Sequence, residues 1–283
     1  MKLSFALPTA LEYFASLVQS DAGFPLLEAA VALAQDEYPE LDVAQVLADV
    51  DQLAARLKRR LPADAGQLQK LRMFNQFFFR DLGFAGNAND FHDPDNSYLS
   101  VVLQTRRGIP ISLAVLWLEL AQGLGLTARG IGFPGHFMLK VNLPNGQVVI
   151  DPLTGQSLSR ESLLERLEPY RQEGDLIDGS LASLSPFLQT TTPREIIARM
   201  LRNLKEIHTL QQDWVRLIAV QDRLIVLQPQ AWIEYRDRGL AHAGQGHFRP
   251  ALADLELYLA QAKGVDDRGT IAWRVAEMKR SIL

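Results

Sequence analysis

The 283 residues contain no cysteine, which excludes disulfides, thiolate-bound zinc and a thiol nucleophile. No run reaches the roughly 20 apolar residues that a membrane-spanning helix needs. The apolar stretch from Leu3 to Val18 is broken by Pro8 and Glu12 and leads to no small-residue cleavage site, so it does not read as a secretory signal. Excess positive charge is missing as well. Lys and Arg number 29 against 33 Asp and Glu, for a formal charge of −4, which argues against a general binder of nucleic acid or anionic membranes. The dense basic cluster, Arg56-Leu57-Lys58-Arg59-Arg60, falls at the end of an expected helix, where cations meet the negative end of the dipole. Neither a glycine-rich phosphate loop nor an HExxH motif occurs. These absences leave a cytoplasmic protein with no cofactor, no nucleic-acid partner and no membrane partner as the expectation.

What remains is ordinary globular material, 47% hydrophobic and 22% charged, enough for one large domain or two modest ones. The first eighty residues read as helices. Thr9 caps one that carries Leu11, Phe14, Leu17 and Val18 on one face, and Pro25 opens a second. Asp42 caps a third, with Val43, Val46, Leu47, Val50, Leu53 and Leu57 at three- and four-residue spacing. A fourth follows Pro62-Ala63-Asp64 and includes the all-apolar block Phe77-Phe78-Phe79. The Gly-, Asn- and Asp-rich stretch from Gly83 to Ser97 reads as an ordered loop. Beyond it, Tyr98–Gln104 and Ile111–Leu124 are helical, with Pro110 starting the latter and Gly123 and Gly125 ending it.

After Gly125 the period changes from helical to alternating. Thr127–Phe133, Phe137–Leu143 and Gln147–Ile150 read as antiparallel strands, and Arg160–Leu167 as a helix. Between Pro169 and Pro193, glycines, aspartates, serines and threonines give a linker signal, so residues 1–170 and 194–283 are expected to be separate regions joined by 171–193. The C-terminal region repeats at thirty-four residues: Trp214 with Phe248, Leu217 with Ala251, Leu224 with Tyr258 and Ile225 with Leu259. Its second copy holds Gly239, Gly246, Phe248 and Ala251 in the spacing of a tetratricopeptide repeat. The first copy has Lys205 and Gln212 where the small residue and the turn glycine belong. The helix Thr270–Leu283 would cap the array.

Three polar residues break apolar surroundings in this frame. Ser112 stands in the first turn of the helix opened by Pro110, where free N–H groups gather. His136 interrupts Phe133-Pro134-Gly135-His136-Phe137, and Asp151 ends an apolar strand before Pro152. Each alone has an ordinary structural explanation. Together they follow the chain order of the papain-like and transglutaminase-like acyl-transfer triad, with a hydroxyl where that triad usually carries sulfur. A serine needs a base within hydrogen-bond reach, because the helix dipole alone does not ionise it. The turn Leu143-Pro144-Asn145-Gly146 leaves two registers open: an Asn145-Gly146 loop puts Asp151 opposite Lys140, and an Asn142–Asn145 loop puts it opposite His136. Both place His136 and Asp151 on one sheet face.

Asn96 and Arg107 are further candidates for binding, Asn96 through its amide near the helix start and Arg107 through a carboxylate; each also reads as a loop anchor. His92, Asp93 and Asp95 suggest a metal cluster, but their spacing fits a turn better, and no metal is expected. His242 and His247 read as surface residues of the repeats.

From about Phe74 to Ser157 the chain resembles the transglutaminase-like core of the SirB family, bacterial proteins that join this core to C-terminal tetratricopeptide repeats. The segments that carry the resemblance are Asn96-Ser97-Tyr98-Leu99, Arg107-Gly108-Ile109-Pro110-Ile111-Ser112-Leu113, Phe133-Pro134-Gly135-His136-Phe137 and Asp151-Pro152. The resemblance implies an α+β fold, a papain/transglutaminase-like core followed by an all-α repeat region. It also implies Ser112 at the nucleophile position, usual for this family, with His136 as base and Asp151 as orienting acid. Two functions follow as expectations. One is a catalytically silent, regulatory protein that binds a protein or peptide partner through its helical repeats; the other is a Ser-His-Asp amidase, peptidase or esterase. A cysteine transglutaminase is excluded.

Overall fold

The computed structural model describes residues 8–170 and 184–282, apart from Ala88, Asn89 and Phe91. The helices are α1 (Ala10–Leu17), α2 (Leu26–Ala32), α3 (Val43–Lys58), α4 (Gln67–Asn75), α5 (Leu99–Thr105), α6 (Pro110–Gly123), α7 (Arg160–Leu167), α8 (Pro193–Leu210), α9 (Trp214–Leu227), α10 (Trp232–Gly244), α11 (Phe248–Gln261) and α12 (Arg268–Ile282). The expected caps are in place. The Thr9 hydroxyl accepts the Glu12 N–H while the Glu12 carboxylate accepts the Thr9 N–H, a reciprocal capping box. Asp42 accepts the Gln45 N–H at 3.0 Å.

The chain forms two compact units that do not follow chain order. Among the described residues, one comprises Pro25–Ala34 and those from Glu40 to Met200; the other comprises those up to Phe24, Gln35–Pro39 and those from Leu201 onward. In the first, α6 is the core. Pro110 through Trp117 are all buried, as are Leu120 and Ala121, the pattern of a helix covered on every side. It packs against α2, α3 and α5 and against the sheet. Trp117 stacks on Phe74 at 4.7 Å between ring centroids and donates its indole N–H to Asn75 Oδ1.

The sheet is antiparallel, in the order β6-β5-β4-β3-β7, with β3 (Thr127–Ile131), β4 (Met138–Leu143), β5 (Gly146–Ile150), β6 (Ser157–Leu158) and β7 (Thr190–Thr191). A short parallel pair, β1 (Ala85–Gly86) and β2 (Arg107–Gly108), lies apart from it. The Gly83–Ser97 loop thus contains a strand, and a 3-10 turn at Pro94–Ser97. The Phe77-Phe78-Phe79 block extends α4 not as α-helix but as a π-helical turn, Gln76–Asp81, closed by the Leu82 N–H on the Phe77 carbonyl. Such a wider turn advances the helix surface by one residue, and it buries Phe77 and Phe78 together. Of the expected linker, 171–183 lies outside the described residues, and its described end supplies β7 as an edge strand.

The hairpin follows neither expected register. Leu143 pairs with Gly146, so Pro144-Asn145 form the loop and Leu139 lies opposite Ile150. Proline occupies the first loop position, where its missing N–H costs no ladder bond. This register lies midway between the two expected ones and keeps their parity.

The second unit packs α1 against α9 and stacks α9, α10, α11 and α12 in sequence. Gly246 has φ +75°, the left-handed turn expected between repeat helices, and Gln212 takes the same region at φ +55°. The first copy therefore makes the glycine turn without the glycine. Its other departure, Lys205, forms ion pairs with Glu234 and Asp237 of α10. Ala251, Leu255 and Tyr258 of α11 pack on Ile271, Val275 and Met278 of α12, which closes the array at its C-terminal end.

Candidate functional site

Ser112 is the third residue of α6 and is completely buried, with a relative exposure of 0%. Its Oγ donates to the Asn96 carbonyl oxygen at 2.6 Å and accepts the Ile109 N–H at 3.1 Å. A hydroxyl has one proton to give, and the short bond to Asn96 takes it. Serine at this helix position finds the N-cap amide within one turn, so a backbone group is its nearest partner. Among the described residues, Ser112 forms no hydrogen bond with His136 or Asp151.

His136 does not lie on a strand. Its N–H bonds the Phe133 carbonyl at 3.0 Å to close a turn ahead of β4, and Gly135 provides the required left-handed step at φ +64°. A side chain at position 135 would also have to push aside the exposed Tyr170 ring. Arg199 fixes the turn, donating to the His136 carbonyl at 2.9 Å and lying over the Phe137 ring. The imidazole Nε2 points to Asp151 Oδ1 at 3.5 Å, beyond ordinary hydrogen-bond length.

Asp151 leaves β5 just past the ladder, its side chain 6% exposed. Oδ1 accepts the Leu153 N–H at 2.9 Å and Oδ2 accepts from Arg166 at 3.0 Å. Burial pushes this carboxyl up, but His136, the Leu153 amide and Arg166 outweigh it and hold it below the usual carboxylate range. Of the three sequence candidates, two thus meet. The hydroxyl of the third belongs to the junction between the 3-10 turn and α6.

The weaker candidates sit in that same junction. The buried Asn96 side chain donates to the Asp90 carbonyl at 2.7 Å and accepts from Asn87 at 3.1 Å. Arg107 donates to the carbonyls of Gly83 and Arg106 at 2.8 and 2.9 Å. The Asn96 side chain ties the Asp90 backbone to the Asn87 side chain, and the Arg107 side chain ties two backbone carbonyls. Asp93 accepts the Asp95 N–H and caps the 3-10 turn. Arg166, Tyr170 and Arg199 were not legible as site residues. Arg166 lies on a helix read correctly from sequence, but no local signal tells which strand end that helix will face.

The repeats enclose a groove of about 730 Å³ lined by α8, α9, α10 and α12, including Trp214, Leu217, Gln221, Leu240 and Arg274. Gln221 is 1% exposed, and neither its amide oxygen nor its amide nitrogen has a hydrogen-bond partner among the described residues.

A family model described as the transglutaminase-like superfamily matches residues 44–202, and one described as the tetratricopeptide repeat matches 204–278. A UPF0162 protein from Xylella fastidiosa is 36% identical over 240 residues, 84% of each chain. One from Vibrio cholerae is 27% identical over 83% of this chain and 85% of its own. YchA, the UPF0162 protein of Escherichia coli K12, is 28% identical over 80% and 79%.

Proposed function

Because the chain belongs to the transglutaminase-like superfamily and, repeats included, to the UPF0162 proteins of bacteria, we propose that it is a protein-binding, regulatory protein whose acyl-transfer pocket is catalytically silent. The observation that carries this reading is the commitment of Ser112. Its proton is held by the Asn96 carbonyl and its lone pair by the Ile109 N–H, both inside a fully buried junction. A nucleophile must instead hand its proton to a base.

Under this reading the site keeps the framework of the superfamily while the hydroxyl has become a structural pin. Repeat arrays commonly present a groove to a peptide. The one between α8 and α12 offers an aromatic wall at Trp214 and an unpaired carboxamide at Gln221. A carboxamide has the donor and acceptor that a peptide bond needs. Kinship with the SirB family and a cytoplasmic location are part of the same proposal.

A second reading, a serine hydrolase built on Ser112, His136 and Asp151, draws its support from the approach of the imidazole to the carboxylate. Labelling with a fluorophosphonate probe separates the two. The silent-pocket reading expects no labelling of the wild-type protein above that of Ser112→Ala. Stoichiometric labelling lost in both Ser112→Ala and His136→Ala would overturn it.

A further inference from the structure

The groove of about 730 Å³ between α8 and α12 is lined by residues of the second unit. Leu210, the last residue of α8, stands in this lining and is 71% exposed. Trp214, at the start of α9, is in the same lining and only half-buried. Large apolar side chains left open around a concave surface mark a place of contact with another molecule.

The charges in the lining fall into two groups. Lys205 is neutralised by Glu234 and Asp237, and Arg202 reaches Gln228 at 2.7 Å and Glu234 at 4.0 Å. Glu206 and Arg274 are left over. Both are exposed, and neither side chain makes an ion pair or hydrogen bond with any described residue. The groove thus presents one spare negative charge, on the first helix of the stack, and one spare positive charge, on the last.

An anionic partner would answer only Arg274, and a cationic one only Glu206. A partner that carries the same two charges in the opposite order answers both. A second copy of this chain supplies that order by symmetry, because in an isologous contact each pairing between two residues is made twice. A two-fold axis running along the groove lays α8 of each copy over α12 of the other, which sets Glu206 against Arg274 at both ends of the contact. The open apolar side chains then face their own copies instead of water.

We propose that this groove is the interface of a homodimer, with two reciprocal Glu206–Arg274 pairs at its rim and Leu210 of each copy covered by the groove of the other. The inference goes beyond the protein-binding reading and does not rest on the state of Ser112. The dimer covers the groove that the earlier reading offers to a peptide, so self-association governs when that groove is open.

Sedimentation equilibrium of the full-length protein at low salt and micromolar concentrations tests the proposal. Wild type is expected to dimerise as concentration rises, and less strongly as salt is added. Glu206→Arg and Arg274→Glu each set like charges together twice and should weaken the dimer about tenfold or more. Leu210→Asp should weaken it to a similar extent. An equimolar mixture of Glu206→Arg with Arg274→Glu should regain a dimer, since opposite charges then meet at both contacts. Circular dichroism checks that each variant is folded, and the mixture controls for fold as well. A wild type that stays monomeric, wild-type affinity in any of the three variants, or a mixture that fails to dimerise would overturn the proposal. The labelling of Ser112 would be unaffected by any of these results.

Discussion

The Ser112 hydroxyl donates a 2.6 Å hydrogen bond to the carbonyl oxygen of Asn96, sixteen residues earlier in the chain. That bond joins the start of the central helix to the loop that precedes it. Ser112→Ala removes it and also strips a partner from the buried Ile109 N–H. A loss of about 1–3 kcal/mol in folding stability is expected, read as a lower urea midpoint with unchanged slope. A residue kept only for chemistry would cost little.

Complete burial also fixes what a thiol at this position would do. Ser112→Cys places sulfur where water does not reach, so 5,5′-dithiobis(2-nitrobenzoic acid) should leave it unmodified in the native protein. The same reagent should modify it stoichiometrically in denaturing urea. Rapid native-state reaction would mean that the pocket opens to solvent.

Asp151 gives a pH signature. Its carboxyl is held below the ordinary 3.8 by His136, the Leu153 amide and Arg166 in spite of burial. The stabilisation is therefore complete above the unfolded value and is lost as pH falls through the lower folded one. Asp151→Asn should cost about 1–3 kcal/mol at pH 7, with Arg166 contributing little of it because it is partly exposed. The gap between wild type and variant should narrow below about pH 4 in urea titrations.

His208 should act at milder acidity. It is 1% exposed, with no hydrogen-bond partner on either ring nitrogen among the described residues. Burial lowers its pKa from 6.5, Arg216 adds to that shift, and Asp213, the nearby Gln211 side chain and Glu37 oppose it. The unfolded chain takes up the proton first, so stability present above pH 6.5 is lost as pH falls toward the folded value. The slope reaches at most about 1.4 kcal/mol per pH unit. His208→Gln should flatten the stability profile between pH 7 and 5.

Much of the frame was legible because it rests on local physics. The Thr9 and Asp42 caps, the Pro110 start of α6 and the span of α7 follow from hydrogen bonds made within four residues. The parity of the hairpin was legible too, since it survives any even slip in register. The hairpin register itself was not, because Pro144-Asn145 and Asn145-Gly146 are both acceptable turns and packing chooses between them. The alternation of residues puts His136 on a strand, but β4 begins only at Met138; the left-handed Gly135 and the Arg199 clasp hold the ring in a turn, and Arg199 comes from sixty-three residues away. The hydrogen-bond partner of Ser112 was invisible for a like reason: nothing in the sequence near Ser112 announces the carbonyl of Asn96.

At Gln212 a repair is possible. Its backbone bears the strain of a left-handed residue, so Gln212→Gly should raise stability by about 0.5–1 kcal/mol, whereas the β-branched Gln212→Val should lower it by at least as much. Thermal unfolding of both variants measures the difference.

The angles at Gln212 and Gly246 bear on how the repeat should be recognised. The side chains at the two bends differ, while the backbone takes the same left-handed region at both. Between α8 and α9 and between α10 and α11, a search by residue identity finds one left-handed glycine turn, at Gly246, whereas a search by φ also finds the turn at Gln212.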